Sequence, residues 1–319
     1  MTISIDKVLI TGANGFIGSF LTRRLVKEGY SVGIIKRRSS NLWRIQDIIK
    51  KTVPYEIDLR ETQELFKIMS DFKPDIVYHL ATYYAVDHQP EEASEMTDSN
   101  VTGSVNILEA ARASKVKFVV NTSSCFVYQE NKEPLREDDN LDPLNLYALT
   151  KILAEKACTF YADKFGLKIA TFRLFSPYGP ADHQRRLIPF VLNKIALKEP
   201  LEMSSGQQRW DFIFVEDIVE AYAKILTSLD SIKGHEIFNL GTGKAVSIRE
   251  IVNKIMDITG VESDVQWGVL PNRKNEAWHL CADIKKAKAF FEWQPCVQMF
   301  DKGLELTVKW YNSFFKGNN

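Results

Sequence analysis

The sequence contains few metal-ligating or disulfide-forming residues, and they are scattered. It has four cysteines and five histidines in 319 residues. No two cysteines form a CxxC pair, and no two histidines stand at the spacing of metal ligands, so neither a zinc site nor a disulfide framework is indicated. We therefore predict that the protein holds no metal.

Long apolar runs and an excess of charge of one sign are also missing. No stretch of 18 apolar residues exists, which excludes a conventional transmembrane helix. The first residues lack the apolar segment and the cleavage site of a secretory signal. Lysine plus arginine and aspartate plus glutamate number 41 each, so the global charge favours neither nucleic acid nor an acidic membrane surface. We expect a cytoplasmic protein without nucleic-acid or membrane partners.

What the sequence does contain is a regular alternation of strand and helix patterns. Apolar runs typical of buried parallel strands alternate with helical spacing over the first half of the chain, which predicts an α/β fold with a doubly wound, mostly parallel Rossmann sheet. The rhythm loosens after Pro177. We predict a dinucleotide-binding domain over residues 1–176 and a smaller mixed substrate-binding lobe over 177–319, interleaved with the last strands of the sheet. The predicted strands are 7–11, 31–35, 53–57, 76–80, 118–121 and 168–174, and the predicted helices include 61–69, 101–113, 147–165, 187–198, 216–228, 247–259, 284–291 and 299–314.

A glycine-rich turn follows the first predicted strand. Gly12, Gly15 and Gly18 form a G-x-x-G-x-x-G pattern that opens a helix. Glycines let the backbone turn sharply and approach a pyrophosphate closely, and the helix N-terminus offers free N–H groups. The strand–turn–helix context favours a dinucleotide site over a glycine-rich connection without a ligand.

The second predicted strand ends in a basic run. Lys36, Arg37 and Arg38 stand where an acidic residue would accept a hydrogen bond from the ribose of NAD. Arginine binds phosphate bidentately, so the run predicts NADP(H) in preference to NAD(H). The alternative is a solvated basic loop.

Two further patterns suggest acid–base chemistry. Tyr147 and Lys151 lie four residues apart on a predicted helix and so face the same side. A nearby ammonium lowers the pKa of a phenol toward the working range. Ser123 and Ser124 end a predicted strand, where a hydroxyl can bind a reacting oxygen; alternatively, they cap a turn.

Taken together, the motifs resemble the extended short-chain dehydrogenases/reductases, in the nucleotide-sugar epimerase/dehydratase group. The ordered matches run from the glycine-rich turn to the asparagine and glycines near residue 240. They are Thr11 to Gly18, Asp58-Leu59, His79 to Ala81, Asn100 to Gly103, Ser123-Ser124, Tyr147 to Lys151, Arg173 to Pro180, Asp211 to Asp217 and Asn239 to Gly243.

The resemblance implies roles for individual residues. The catalytic residues are Ser124, which binds the substrate oxygen, Tyr147, the acid–base, and Lys151, which tunes the tyrosine and holds the ribose. The residues expected at the cofactor are Gly12, Asn14, Gly15, Phe16, Ile17, Lys36, Arg37, Asp58, Leu59, Leu80, Ala81, Asn100, Tyr147 and Lys151. Those expected at the substrate are Thr82, Ser123, Ser176, Arg209 and Arg273. From the residues alone, Asp58 could equally be a turn residue and Asn100 a polar packing residue.

Departures from the family pattern reduce the number of reactions that the resemblance allows. Cys125 and Phe126 occupy the places of the acidic pair in 4,6-dehydratases, so that activity is not expected. Ser176 replaces a common asparagine, and Arg209 is shifted by one place, which on a strand would swap its face. Relatives also carry an arginine near Arg273 that contacts diphosphate.

These features predict an NADP(H)-dependent 4-ketoreductase acting on a nucleotide-linked sugar, with a partial resemblance to enzymes of deoxysugar biosynthesis. A nucleotide-sugar 4-epimerase with retained cofactor is the alternative, because the local chemistry is the same. A non-catalytic dinucleotide-sensing protein is disfavoured because both the tyrosine and the lysine are present. By analogy with relatives, a homodimer formed through the helices near 98–113 and 147–165 is expected.

Overall fold

A computed structural model describes residues 5–261, 264–296 and 299–317. The helices are α1 (Phe16–Lys27), α2 (Thr62–Phe72), α3 (Glu92–Thr97), α4 (Gly103–Ala113), α5 (Leu146–Phe165), α6 (Leu187–Leu197), α7 (Val215–Lys224), α8 (Ile248–Thr259), α9 (Lys285–Phe291) and α10 (Met299–Gly317). The strands are β1 (Lys7–Thr11), β2 (Ser31–Lys36), β3 (Val53–Glu56), β4 (Ile76–His79), β5 (Phe118–Ser124), β6 (Ile169–Leu174), β7 (Pro177–Tyr178), β8 (Leu201–Met203), β9 (Arg209–Asp211), β10 (Ile213–Phe214), β11 (His235–Leu240), β12 (Ala245–Ser247), β13 (Val265–Trp267) and β14 (His279–Leu280).

Seven strands form the central sheet, in the order β11-β6-β5-β4-β1-β2-β3. Every neighbouring pair is parallel, which confirms the doubly wound Rossmann sheet predicted from the alternating pattern. The strand order reverses between β1 and β4, and in such sheets ligands bind beyond the carboxyl ends of the strands at this switch point.

Both faces of the sheet are covered because successive strand residues point to opposite sides. On β1, Val8 and Ile10 enter one buried cluster with α1, α7 and α9, whereas Leu9 enters a second cluster with α2, α4 and α5. The strand sequences therefore read as continuous apolar runs rather than alternating ones.

The remaining elements build a smaller mixed lobe. Helices α6, α8 and α10 enclose a third apolar cluster, beside three small sheets: β10-β7, β12-β9-β14 and β13-β8. Strand β11 and helix α7 lie beyond residue 176 in the sequence, yet β11 pairs with β6 in the central sheet and α7 packs against the α1 side. The division at residue 176 stays a prediction.

The main difference from the predicted elements lies before α4. The predicted helix over 101–113 is preceded by α3 (Glu92–Thr97), for which no element was predicted, and its first residues belong to a π-helical turn over Asp98–Thr102. π-Helical turns are often found at functional sites, and this one carries Asn100. The short strands of the lobe were also missed, because strands of two or three residues leave no periodic signal.

Among the described residues, no helix is both long enough and apolar enough to span a membrane. The same residues contain no cluster of three or more histidine, cysteine or acidic side chains arranged to hold a metal ion. The cysteines are free thiols: Cys125, Cys158 and Cys281 are buried and Cys296 is exposed.

Candidate active site

The glycine-rich turn joins β1 to α1 at the switch point of the sheet. Gly12 has a φ of +71°, and a Cβ there would lie 2.7 Å from the Ala81 nitrogen. A Cβ on Gly18 would lie 2.1 Å from the Gly12 carbonyl oxygen. Only glycine allows this tight contact between turn, helix and neighbouring strand end.

The N-terminus of α1 has the properties of an anion site. No side chain caps it, and no acidic residue lies in its first turn. Phe16 and Ile17, the first two helical residues, are partly buried, and their N–H groups belong to the set that has no partner within a helix. The residues present therefore fit a dinucleotide pyrophosphate. Asn14 lies on the turn and donates from Nδ2 to the Asn41 carbonyl oxygen, 3.2 Å away.

Ser124, Tyr147 and Lys151 come together at the carboxyl end of β5. Ser124 is the last residue of that strand; its hydroxyl group accepts from the Phe126 N–H at 3.3 Å and influences the pKa of the nearby Tyr147. Tyr147 and Lys151 lie in the first two turns of α5, which Asn145 caps by accepting from the Ala148 N–H at 2.9 Å. All three catalytic candidates are buried.

The acid–base candidate is a phenol in a dry site. Burial raises the pKa of Tyr147 above its ordinary value, and the charge of Arg186 and the nearby Ser124 hydroxyl group act in the opposite direction. The tyrosine therefore needs cations and hydrogen-bond donors to ionise near neutral pH.

Lys151 lies beside the tyrosine but not directly on its oxygen. Its Nζ is 5.7 Å from the centre of the Tyr147 ring and donates to the Thr122 carbonyl oxygen at 3.0 Å. Burial lowers the pKa of Lys151 to about 8, against the opposing charge of Glu155. The lysine is thus fixed between β5 and α5.

Asn100 ties the loop after β4 to α5. Its Oδ1 accepts from the Tyr83 N–H at 2.7 Å and from the Thr82 hydroxyl at 3.0 Å. Its Nδ2 donates to the Thr150 hydroxyl at 2.9 Å and to the Tyr83 carbonyl oxygen at 3.0 Å. Asn100 therefore links the loop that begins at Thr82 to Thr150, the residue that precedes Lys151 on α5.

A buried histidine forms the floor between the strand ends. His79 Nδ1 lies 2.8 Å from the Thr11 hydroxyl oxygen, and Nε2 lies 2.9 Å from the Ser104 hydroxyl oxygen. Thr11 also accepts from the Ala81 N–H at 3.1 Å, while Leu80 donates to the Thr11 carbonyl oxygen. Burial lowers the pKa of His79 to about 3, so the ring is neutral at physiological pH and acts as a structural link.

The basic run after β2 already has acidic neighbours. Lys36 pairs with Glu56 at the end of β3. Arg37 pairs with Glu95 of α3 at 3.2 Å. A 2′-phosphate would have to compete with these carboxylates, which weakens the argument for NADP(H) over NAD(H).

Asp58 and Leu59, two of the residues expected at the cofactor, lie just after β3. Asp58 binds Arg60 through both carboxylate oxygens at 2.9 Å, which lowers the pKa of that carboxyl group. Leu59 is buried against Gly103, and its carbonyl oxygen accepts from Asn106. This edge of the cofactor cleft is thus anchored to α4.

The predicted substrate residues are only partly brought together. Ser123 is buried, and its hydroxyl has no hydrogen-bond partner among the described residues. Ser176 is buried next to Cys125, with a φ of +25°. Arg273 is exposed and pairs with Asp87 at 2.9 Å.

The structure does not bring Arg209 to this cluster. Its guanidinium donates to the Ala245 carbonyl oxygen at 2.7 Å and pairs with Glu250. Trp210, on the opposite face of β9, is the residue that meets Phe126, with ring centres 6.2 Å apart. The one-place shift along the strand therefore puts an aromatic ring, not a cation, on this wall.

Sequence reasoning missed two residues of the site. The Tyr84 ring meets the Tyr147 ring edge-on, with centres 5.0 Å apart. The Arg186 guanidinium lies 5.8 Å from the centre of the Tyr84 ring. The only signals were an aromatic pair after a strand end and a basic pair before a helix.

Comparison with known proteins decides the family. A family model described as the NAD dependent epimerase/dehydratase family matches residues 8–241, which is most of the chain. The chain belongs to this family. It is an enzyme of the extended short-chain dehydrogenase/reductase group, as the ordered motifs indicated.

Two similar proteins align with this chain over nearly their full length. The chain is 31% identical to the UDP-glucose 4-epimerase of Lactobacillus helveticus, covering 98% of both chains. It is 32% identical to the UDP-glucuronate 4-epimerase of Thermodesulfobacterium geofontis, covering 95% of both.

A solved structure of the family shows the same fold. The UDP-glucuronic acid 4-epimerase of Bacillus cereus, in complex with UDP-glucuronic acid and NAD, superposes with a TM-score of 0.89 at 27% identity, covering 97% of this chain and 99% of that one. These likenesses support binding of a nicotinamide dinucleotide by the present chain, without a preference for NADP.

Proposed function

We propose that the protein is a nucleotide-sugar 4-epimerase. The observation that carries the proposal is the meeting of Ser124, Tyr147 and Lys151 at the carboxyl end of β5. The full-length likeness to enzymes named as 4-epimerases of UDP-sugars supports the same reaction and a UDP-linked substrate. The alternative interpretation of the sequence is therefore favoured over a 4-ketoreductase.

The side chains divide the work of the proposed reaction. Tyr147 removes the proton from the C4 hydroxyl group of the sugar, and Ser124 holds that oxygen by a hydrogen bond. A nicotinamide dinucleotide, when bound, supplies the hydride acceptor and donor. After the sugar presents its other face, Tyr147 returns the proton to the C4 oxygen, so the overall reaction consumes no oxidant or base.

Other residues of the site hold the cofactor rather than react. The N-terminus of α1, opened by Gly12 and Gly15, would receive the pyrophosphate. Lys151 would hold the nicotinamide ribose and contributes positive charge beside Tyr147. Asn100, through its hydrogen bonds with Thr82 and Tyr83, fixes the loop that follows β4.

The proposed function is tested by incubating the purified protein with UDP-glucose, UDP-glucuronate or UDP-N-acetylglucosamine and separating the products. We expect one of these to be converted to its C4 epimer without net consumption of added cofactor. The Tyr147→Phe variant serves as the inactive control. If none of the sugars is converted although cofactor binds, the 4-epimerase proposal is wrong for UDP-sugars.

A second candidate function is an NADP(H)-dependent 4-ketoreductase that acts on a nucleotide-linked keto-deoxysugar. The observation in its favour is the basic run after β2. If Lys36 and Arg37 bind a 2′-phosphate, each charge-assisted contact adds about 1.5–3 kcal/mol, or roughly 10- to 100-fold preference for NADP(H). The double variant Lys36→Asp with Arg37→Ser should then lose or invert that preference in titrations of both cofactors. Because Glu56 and Glu95 already pair with these cations, we expect the wild type to bind NAD at least as well as NADP, which would exclude this candidate.

We also propose a homodimer formed through α4 and α5. Leu149, Leu153 and Phe160 lie along one side of α5 and are 40%, 43% and 51% exposed, an apolar stripe that a second copy would cover. Light scattering should give a dimer for the wild type and a smaller mass for Leu153→Glu. A monomeric wild type at micromolar concentration would contradict this assembly.

A further inference from the structure

The loop between β7 and α6 holds a buried ion pair at the edge of the site. The Arg186 Nε lies 3.3 Å from Asp182 Oδ2, and the Asp182 side chain is 2% exposed. Asp182 Oδ1 accepts from the His183 N–H at 2.7 Å, whereas Oδ2 has no hydrogen-bond partner among the described residues. Arg186 is therefore the main compensation for this buried carboxylate.

Two contacts from distant parts of the chain brace this loop. Arg44 donates from Nε to the Ala181 carbonyl oxygen at 2.8 Å, and Tyr311 of α10 donates to the Asp182 carbonyl oxygen at 2.8 Å. Arg186 itself donates from Nη2 to the Pro177 carbonyl oxygen at 2.9 Å. The guanidinium is thus fixed by a carboxylate of its own loop and by a carbonyl of β7.

The positive charge of the braced guanidinium acts on the acid–base tyrosine, and Tyr84 contacts both side chains. The guanidinium lies 5.8 Å from the Tyr84 ring, which meets the Tyr147 ring at 5.0 Å. Its charge also acts on Cys125, which follows Ser124 in the chain. Lys151, the other cation at this tyrosine, directs a hydrogen bond to the Thr122 carbonyl oxygen instead. The tyrosine is therefore flanked by a cation on α5 and by a second cation on the loop.

We propose that Arg186 is a second cation of the catalytic centre that stabilises the ionised form of Tyr147, and that Asp182 is the positioning residue that holds it there. The proposal rests on the proposed acid–base role of Tyr147. A cation close to a phenol in a site of low dielectric constant lowers the pKa of that phenol by about one unit or more. The other groups that face Tyr147 are Tyr84, Ser124, Cys125 and Lys151.

The decisive experiment is a titration of tyrosinate by its ultraviolet absorbance, without substrate. Subtracting the curve of Tyr147→Phe from that of the parent isolates the ionisation of Tyr147, and the same subtraction is made in an Arg186→Met background. We expect the midpoint to rise by about one pH unit in Arg186→Met and to stay near the wild-type value in Arg186→Lys. Arg185→Met, at the exposed neighbouring arginine, is the matched control and should leave the midpoint unchanged.

Asp182→Asn separates positioning from simple charge. If Asp182 positions Arg186, the loss of the ion pair should raise the Tyr147 midpoint, by less than Arg186→Met does. If Asp182 only screens the arginine, the midpoint should fall, and the positioning half of the proposal is overturned. Thermal unfolding of each variant shows which of them remain folded over the pH range used.

Equal midpoints in wild type and Arg186→Met would overturn the role of Arg186, as would a Tyr147 that does not ionise below the pH at which the protein unfolds. Where turnover is found, a rise in KM alone with an unchanged pH profile of kcat would instead make Arg186 a substrate anchor. Because the titration needs no substrate, it gives an answer even if no nucleotide sugar is converted, so the two proposals can fail separately.

Discussion

The catalytic cleft has two walls that are built by different means. One wall is a single helix, α5, on which Tyr147 and Lys151 are four residues apart and both buried. The other consists of two loops, which place Tyr84 against Tyr147 and Arg186 against Tyr84, although about a hundred residues separate Tyr84 from Arg186 in the sequence. The helix wall needs only local geometry, whereas the loop wall needs the whole lobe to be folded.

This difference explains what the sequence could predict. A strand–turn–helix with glycines, and a tyrosine and a lysine one turn apart, are local patterns with a direct geometric meaning. They predicted the fold class, the family and the residues of the helix wall. Arg186 and Tyr84 have no such local pattern, because their approach depends on Arg44 and Tyr311 bracing one loop and on Asn100 holding the other.

Arg209 is a second example of what a local sequence pattern can and cannot predict. The sequence showed its one-place shift, and on a strand this implies the opposite face. Only the structure shows what fills the vacated place: Trp210, with its indole N–H donated to the Ala277 carbonyl oxygen at 2.7 Å. The neighbouring loop of the lobe determines this, and it has no signature in the strand itself.

The largest effect on kcat is expected when the phenolic hydroxyl group of Tyr147 is removed from the helix wall. Tyr147→Phe keeps the ring that meets Tyr84 and should lower kcat at least ~100-fold, the scale of lost general acid–base catalysis. Cofactor affinity should change little. Tyr161→Phe, on the same helix but away from the site, is the control. The comparison would be broken if Tyr84→Phe, on the loop wall, had as large an effect as Tyr147→Phe.

The next largest effect is expected for the lysine of the helix wall. Lys151→Met removes a cation beside Tyr147 and the group expected to hold the ribose, so both kcat and cofactor affinity should fall, each by about 10-fold or more. The two quantities are measured by initial rates and by fluorescence titration of the dinucleotide. Lys156→Met, exposed on the same helix, should behave as wild type. A variant that loses turnover but binds cofactor normally would remove Lys151 from ribose binding.

The smallest effect concerns the floor that both walls share. His79 is buried between Thr11 and Ser104, and burial lowers its pKa to about 3, below the value of about 6.5 for an unfolded chain. As the pH falls through 6.5, the unfolded chain therefore takes up a proton at this position that the folded protein does not, so acidification should destabilise the fold. For one such group the loss of unfolding free energy between pH 7 and pH 6 is about 0.7 kcal/mol.

The variant His79→Gln cannot take up that proton. Its unfolding free energy, from urea denaturation at the two pH values, should therefore fall by about 0.7 kcal/mol less than that of the wild type. His235, whose pKa burial also lowers, to about 4, is present in both proteins and cancels in the difference. Parallel pH dependences of the two proteins would mean that His79 is protonated in the folded state, and the conclusion that its ring is neutral would be wrong.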